Sequence, residues 1–170
     1  MYTSVETPPN SFNSQNYQNA LARYPGTLAS DEDIQRFASV YGDLKSKELN
    51  ESINSLYAES LYFNDTFNTF EHRNELRDYL VHTANNLITS EVVVDDVARS
   101  GNEVYLRWTM TISLSVKGKV INSESAGVTH LRFNPNGKVI VHQDFWDGVD
   151  GFYQHLPYLG GATKLLREQL

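Results

Sequence analysis

The fold is decided by residues 104–116, which read VYLRWTMTISLSV. Apolar side chains alternate with polar ones along the whole stretch, beginning and ending with the apolar Val104 and Val116. Successive side chains of a β-strand point to opposite faces, so the alternation predicts one long strand with an apolar face and a polar face. Because an apolar sheet face has to be covered, the pattern also predicts a second layer of helices.

Turn signals after this strand predict that the sheet continues through hairpins. Residues 117–119 read KGK, and residues 134–137 read NPNG. Proline fixes φ in such a turn, and Asn and Gly tolerate positive φ. The two turns frame two further strands, the last of which contains HQDFW at residues 142–146. We therefore expect mostly antiparallel pairing in this part of the sheet.

Helices are predicted upstream of the long strand. Ser30 followed by three acidic residues is typical of a helix start, and apolar residues recur with the helical period over residues 34–44, 49–57 and 76–87. A short strand is expected at residues 61–65. Together with the downstream strands, this order predicts an α+β fold with three N-terminal helices packed on a curved sheet.

The length of 170 residues suits one domain with flanking segments. Residues 1–29 are rich in Asn, Ser, Thr and Gln without a sustained period, and we interpret them as a polar N-terminal extension. The α+β domain is expected to span residues 30–150. Residues 151–170 contain several apolar side chains and end in a predicted short C-terminal helix, and we expect this segment to cover the mouth of a pocket.

Composition excludes several classes of function. The net charge of −7 and the pI near 5.1 oppose binding to nucleic acid or to an anionic membrane surface. The chain has no cysteine, which excludes disulfides and thiolate chemistry, and its 5 histidines show no metal-ligand spacing. No apolar run has membrane-spanning length and the N-terminus lacks the order of a signal peptide, so a cytoplasmic location is expected.

A candidate site lies in residues 137–147, GKVIVHQDFWD. The period of two puts His142, Asp144 and Trp146 on one face of the last strand. Asp65, at the end of the short predicted strand, is expected to enter the same space from a neighbouring strand. Excluding water from such a space raises the pKa of a carboxyl toward neutrality, which suits abstraction of a proton beside a carbonyl group.

Two further motifs carry a resemblance to a known family. They are Tyr57-Ala58 ahead of Phe63-Asn64-Asp65, and the hairpin RFNPNGKV at residues 132–139. With the order of elements, they resemble the nuclear transport factor 2-like superfamily, and its SnoaL-like branch in particular, over residues 31–150. The resemblance implies a cone-shaped domain with a pocket between helices and sheet. Members include ketosteroid isomerases, polyketide cyclases, limonene epoxide hydrolases and non-catalytic domains, so the resemblance leaves the chemistry open.

The resemblance to the isomerases covers part of their site. Tyr41 is similar in position to the tyrosine that donates a hydrogen bond to the developing oxyanion, and Asp65 to the aspartate that moves the proton. The third position, a protonated aspartate in the isomerases, is Thr129 here. A threonine cannot act as a neutral carboxylic acid, so the isomerase set is incomplete.

The other two enzyme types point to Asp144. Residues 143–147, QDFWD, resemble the final stretch of the epoxide hydrolases, with Asp144 at the catalytic position. The Arg-x-Asp pair of those enzymes is replaced by Trp108 and Met110. His142-Gln143-Asp144 resembles the His-Trp-Asp of the polyketide cyclases, in which the aspartate acts as acid and base.

The function predicted from the sequence is that of a cofactor-free isomerase or cyclase acting on a small, largely apolar, carbonyl-bearing molecule. We expect Asp144 to be the principal acid/base and Asp65 a second carboxylate, with Tyr41 and His142 as polar supports. The expected pocket wall is Trp108, Met110, Thr129 and Trp146. Neither a cofactor nor a metal is expected, and the resemblance implies a homodimer formed through the outer face of the sheet.

Alternatives remain open at this point. The domain could bind a ligand without turnover, act as an epoxide hydrolase with an altered site, or serve as an assembly module whose interior is filled by its own side chains. Each polar candidate also has a structural interpretation: Asp65 as the cap of a turn, Asp144 as a hydrogen-bond acceptor, and Tyr41 as a core tyrosine. A cavity of ligand size would argue against the assembly module.

Overall fold

The computed structural model describes residues 14–116 and 118–146, which form four helices and one curved, open sheet of six strands. The helices are α1 (Ser14–Arg23), α2 (Asp31–Gly42), α3 (Leu49–Leu56) and α4 (Arg73–Asn86). The strands are β1 (Tyr57–Asn64), β2 (Thr69–His72), β3 (Leu87–Ser100), β4 (Glu103–Val116), β5 (Lys119–Phe133) and β6 (Val139–Trp146). The predicted α+β class is confirmed.

The sheet has the order β2-β1-β6-β5-β4-β3. All neighbouring strands are antiparallel except β1 and β6, which are parallel. The long alternating stretch is β4, which pairs with β3 on one side and with β5 on the other. Leu106 and Trp108 of β4 are buried, whereas Arg107 between them is exposed, as the alternation predicts.

The helix at residue 31 begins as the sequence predicts. The Ser30 hydroxyl accepts a hydrogen bond from the backbone N of Asp33 at 3.1 Å, and the Asp33 carboxylate accepts one from the backbone N of Ser30 at 3.1 Å. This capping box satisfies two backbone donors of the first turn. Helix α2 then buries Ile34 and Phe37 against the sheet.

Two predicted helix ends are corrected by the structure. The helical period extends to Tyr57 and Leu87, but these are the first residues of β1 and β3. Tyr57 is fully buried and pairs with Val139 across the parallel β1–β6 contact. An apolar residue at the end of a helical stripe also fits the start of a buried strand, and here the sheet pairing decides.

The prediction of three N-terminal helices is also corrected, because α1 forms inside the segment interpreted as a polar extension. Its Ala20 packs with Tyr62 and Val141, which belong to the sheet face opposite to the one covered by α2. Arg132 anchors the C-terminal end of α1 by donating to the carbonyl oxygens of Leu21 and Tyr24, both at 2.7 Å. The short strand β2 is a further element that the sequence pattern does not predict.

Other predictions fall outside the described residues. These are the short C-terminal helix, the covering role of residues 151–170 and the first 13 residues of the extension. The cone-shaped outline and the homodimer stay predictions. None of the helices in the described part of the chain is long and apolar enough to cross a membrane.

Candidate active site

A cavity of about 490 Å³ lies between α2, α4 and the inner face of the sheet. Its volume falls in the range of small-molecule sites, and the side chains of residues 14–116 and 118–146 do not fill it. Apolar and aromatic side chains dominate its wall. Of the residues singled out from the sequence, the wall contains Tyr41, Asp65, Trp108, Met110, Thr129, Asp144 and Trp146.

Asp144 is positioned by the pairing of β5 with β6, which sets it opposite Thr129. Trp108 Nε1 donates to Thr129 Oγ1 at 2.9 Å, and the Thr129 hydroxyl donates in turn to Asp144 Oδ1 at 2.5 Å. His142 Nε2 is 2.9 Å from the same Oδ1. Within residues 14–116 and 118–146, no hydrogen bond reaches the other oxygen, Oδ2.

A chain of hydrogen bonds continues behind Asp144. His142 Nδ1 is 2.7 Å from the Tyr57 hydroxyl, which is 2.6 Å from the Tyr41 hydroxyl. With Asp144 ionised, Nε2 carries the proton, the neutral ring accepts at Nδ1 from Tyr57, and Tyr57 accepts from Tyr41. Every member of the chain then has a partner, and the chain fixes the orientation of the Asp144 carboxylate.

Burial keeps the two tyrosines of this chain protonated. It raises the pKa of Tyr41 well above its ordinary value, and the neighbouring Tyr57 and Asp144 raise it further. It also raises the pKa of Tyr57, against the lowering effect of the hydrogen bond with Tyr41. His142 lies behind the wall, only 1 % exposed, with its ring against Phe63 at a centroid distance of 4.6 Å.

Asp65 follows β1 and combines its two predicted roles. Its Oδ1 accepts from the backbone N of Phe67 at 3.0 Å and of Asn68 at 2.8 Å, so it caps the turn. Its Oδ2 accepts from the Tyr79 hydroxyl at 2.5 Å. Burial raises the pKa of Asp65 and the charge of Asp144 adds to this, although the hydrogen bonds from Tyr79 and the backbone act in the opposite direction.

Trp108 and Trp146 occupy neighbouring parts of the wall, with ring centroids 6.3 Å apart. Both flank Gly127 in the sheet. A Cβ at Gly127 would lie 2.5 Å from Trp108 Cζ2 and 2.8 Å from Trp146 Cβ. Only glycine therefore allows the Trp108 ring to lie across β5 and reach Thr129.

Comparison with known proteins now identifies the family. The family model of the SnoaL-like domain matches residues 34–142, which is more than half of the chain. The chain belongs to the SnoaL-like domain family. This SnoaL-like domain gives no match among the curated proteins.

Solved structures share its fold at low sequence identity. A putative SnoaL-like polyketide cyclase from Shewanella denitrificans has 16% identity and a TM-score of 0.61, over 78% of this chain and 99% of that one. A hypothetical protein from Catenulispora acidiphila with a ketosteroid isomerase-like fold, in complex with trimethylamine, has 13% identity and a TM-score of 0.59, over 78% and 95%. An LEH-like epoxide hydrolase from M. tuberculosis has 15% identity and a TM-score of 0.55, over 81% and 94%. These likenesses show the fold alone.

Two tyrosines of the site, Tyr57 and Tyr79, are not identified as site residues by the sequence pattern. Each falls on the apolar stripe of a predicted helix. The available signal is the residue type, because a tyrosine on a buried stripe carries a hydroxyl that needs a partner. Their partners, His142 and Asp65, lie far away in sequence or across a turn, and periodicity does not contain that information.

No group of three histidine or acidic side chains in the described part of the chain could hold a metal ion. The residues brought together are two carboxylates, hydroxyl groups and one histidine. Such a set can accept, hold and return a proton.

Proposed function

We propose that this SnoaL-like domain is a cofactor-independent acid–base enzyme, of isomerase or cyclase type, acting on a largely apolar small molecule that carries a carbonyl group. The observation that carries the proposal is the hydrogen bonding of the Asp144 carboxylate. One oxygen of its carboxylate is fixed by Thr129 and His142, and the other takes no hydrogen bond from the described residues. This oxygen is available to a molecule in the cavity.

In the proposed reaction, Asp144 Oδ2 removes a proton from the carbon beside the carbonyl group. The C–H electron pair forms the enolate double bond, and the carbonyl π pair moves to oxygen. The carboxylic acid formed at Asp144 then returns the proton to carbon, at the same atom or at a conjugated one. Fixing Oδ1 favours this step, because the carboxylate is oriented before the substrate binds.

Asp65 is assigned a different part in this proposal. Both of its oxygens already accept hydrogen bonds, from Tyr79 and from two backbone N atoms. It remains a second carboxylate of the wall, while Asp144 transfers the proton. Tyr41 and His142 keep the supporting roles expected of them, since their hydrogen bonds lead to Oδ1 and not to the cavity side of the carboxylate.

The epoxide hydrolase alternative has less support. Trp108 and Met110, which replace the Arg-x-Asp pair, both belong to the wall. A cavity that binds a ligand without turnover has the same walls, and experiment separates it from an enzyme.

The test is exchange of α-protons for deuterium in apolar cyclic ketones such as 2-tetralone and 2-decalone, followed by ¹H NMR in D₂O. The wild-type protein should accelerate exchange over buffer, and Asp144→Asn should lower the rate about 10²- to 10⁴-fold. The variant should fold, because its amide oxygen can still accept from Thr129 and His142. No acceleration by the wild-type protein would favour the binding domain.

A further inference from the structure

The cavity wall contains two carboxylates without a matching cation. No Lys or Arg among residues 14–116 and 118–146 forms an ion pair with Asp65 or Asp144, and the lining contributed by these residues contains no basic side chain. The nearby Lys45 donates its Nζ to the backbone oxygen of Leu87 at 2.6 Å. A carboxylate removed from water is costly unless a cation compensates it, so a bound ligand with a positive charge would be stabilised here.

Aromatic rings next to these carboxylates add a second feature that suits a cation. The rings of Phe67 and Trp146 are perpendicular, at 89° with centroids 5.4 Å apart, and Trp108 meets Trp146 at 55°. Trp146 Nε1 donates to the Asp65 backbone oxygen at 3.0 Å, which fixes this group of rings beside Asp65. Ring faces set at large angles attract ammonium groups through their π electrons.

We infer that the ligand of this cavity is an apolar molecule with a protonated amine, and that the ammonium group pairs with Asp65 against the rings of Phe67, Trp108 and Trp146. The inference rests on the proposed function, and it deepens it: the substrate carries an amine for Asp65 as well as a carbonyl group whose α-proton faces Asp144. Asp65 suits the role of charge partner because three hydrogen bonds fix its carboxylate. The same wall excludes carboxylates and phosphates.

The protein carries its own reporter for a test, because both of its 2 tryptophans belong to the cavity wall. Three probes share an apolar cage that neither absorbs nor fluoresces with tryptophan: 1-adamantanemethylamine, 1-adamantanemethanol and 1-adamantanecarboxylate. Titrations followed by tryptophan fluorescence should give the tightest binding for the amine, about tenfold weaker binding for the alcohol, and weaker binding again for the carboxylate.

Two variants separate a local effect from the overall negative charge of the protein. Asp65→Asn removes the proposed charge partner, and its amide oxygen can still accept the turn hydrogen bonds. It should reduce the preference for the amine over the alcohol to less than about threefold. Glu91→Gln removes one charge from an exposed position of β3 and should leave the preference unchanged.

The inference is overturned if the carboxylate probe binds as tightly as the alcohol, if none of the probes binds, or if Asp65→Asn keeps the full preference for the amine. Ketone exchange separates this outcome from failure of the proposed function. A preference for the amine probe without ketone exchange would contradict only the proposed enzymatic activity. Ketone exchange without that preference would contradict only the inferred amine group of the ligand.

Discussion

A tyrosine, a histidine and a carboxylate form a hydrogen-bonded series on each face of the sheet, and the tyrosine of the outer face comes from helix α1. On the inner face Tyr57 contacts His142, which contacts Asp144. On the outer face Tyr17 contacts His130 at 2.6 Å, and His130 contacts Glu103. The two histidines are equally buried, each 1 % exposed. The side chains of the two hydrogen-bonded series are therefore chemically alike. The two series differ in the further partner of the carboxylate.

On the outer face an arginine completes the chain. Arg132 donates to both oxygens of Glu103, with Nη2 2.5 Å from Oε1 and Nε 2.8 Å from Oε2. Burial alone would raise the pKa of Glu103, but the hydrogen bonds from Arg132 and His130 outweigh it and lower that pKa. No arginine in the described part of the chain forms an ion pair with Asp144, which lines the cavity. We therefore expect the ion-paired Glu103 to matter for stability, and the proposed function assigns the chemistry to Asp144.

The largest expected change in stability comes from removing the arginine of the outer face. Arg132→Met leaves two carbonyl oxygens of the α1 end without their donor and leaves Glu103 with His130 but no cation, and it should lower the free energy of unfolding by about 3 kcal/mol. Asp144→Asn should lower it by less than about 1 kcal/mol, because the shape and two hydrogen bonds are kept. Urea denaturation followed by circular dichroism measures both. Equal losses would contradict the division between the two faces.

The two histidines provide a matched pair with a smaller expected effect. His142→Gln and His130→Gln each remove a buried ring with two hydrogen bonds, and each should cost about 1–3 kcal/mol of unfolding free energy. Their effects on ketone exchange should differ. His142→Gln should slow exchange about tenfold or more, because Asp144 loses one of the donors that orient it, whereas His130→Gln should not change the rate. An equal loss of rate in both would indicate a general loss of structure.

The tyrosines test the proton arrangement. Tyr57→Phe removes the hydroxyl group between Tyr41 and His142, and it should cost about 1–2 kcal/mol of unfolding free energy with a few-fold loss of exchange. Tyr17→Phe is the matched change on the outer face and should leave exchange unchanged. ¹⁵N NMR of the His142 ring should show a proton on Nε2 in the wild-type protein. A proton on Nδ1 instead would contradict the assigned direction of the chain.

The smallest expected effect is on the pH dependence of stability, and the two faces should respond in opposite directions. Burial lowers the pKa of His130, and the charge of Arg132 contributes to this against the raising effect of Glu103. The unfolded chain therefore takes up a proton below about pH 6.5 that the folded protein resists, so stability falls on acidification. His130→Gln should flatten this fall in urea titrations made between about pH 7 and pH 5.

Asp65 should show the reverse sign. The pKa of Asp65 is raised in the folded protein, so the folded protein holds this proton more tightly than the unfolded chain does. The resulting stability is fully present below the pKa of Asp65 in the unfolded chain. It is lost as the pH rises through the pKa of Asp65 in the folded protein. Asp65→Asn should therefore raise the free energy of unfolding relative to wild type at neutral pH, and the difference should shrink at about pH 4. If the difference in unfolding free energy between Asp65→Asn and wild type grew on acidification, the predicted direction of the pH dependence would be contradicted.

The sequence predicts those parts of the fold that depend on local pattern. The alternation in β4, the Ser30 cap and the turn at residues 134–137, where Gly137 has a φ of 68°, are all local. The face assignment of β6 is confirmed as well: His142 bonds to Asp144, and Asp144 and Trp146 both line the cavity. Period two fixes the face of every side chain once one of them is placed.

Features that depend on contacts distant in sequence could not be predicted in the same way. Helix α1 contains Tyr17, Ala20 and Leu21 at helical spacing, and Tyr24 follows its last residue, but the stripe is short and polar residues surround it. Its stability comes from packing on the sheet. The link from Trp108 through Thr129 to Asp144 depends on the register of three strands. Residue types alone do not show which carboxylate has an arginine and which does not.

The most direct measurement of the central claim is the deuterium exchange rate of 2-tetralone at neutral pH for wild type, Asp144→Asn and Glu103→Gln, with each variant first shown to be folded. The account predicts a loss of about 10²-fold or more for Asp144→Asn and a rate within about twofold of wild type for Glu103→Gln. Equal rates for wild type and Asp144→Asn would contradict it, because the carboxylate without a cation would then have no part in moving the proton.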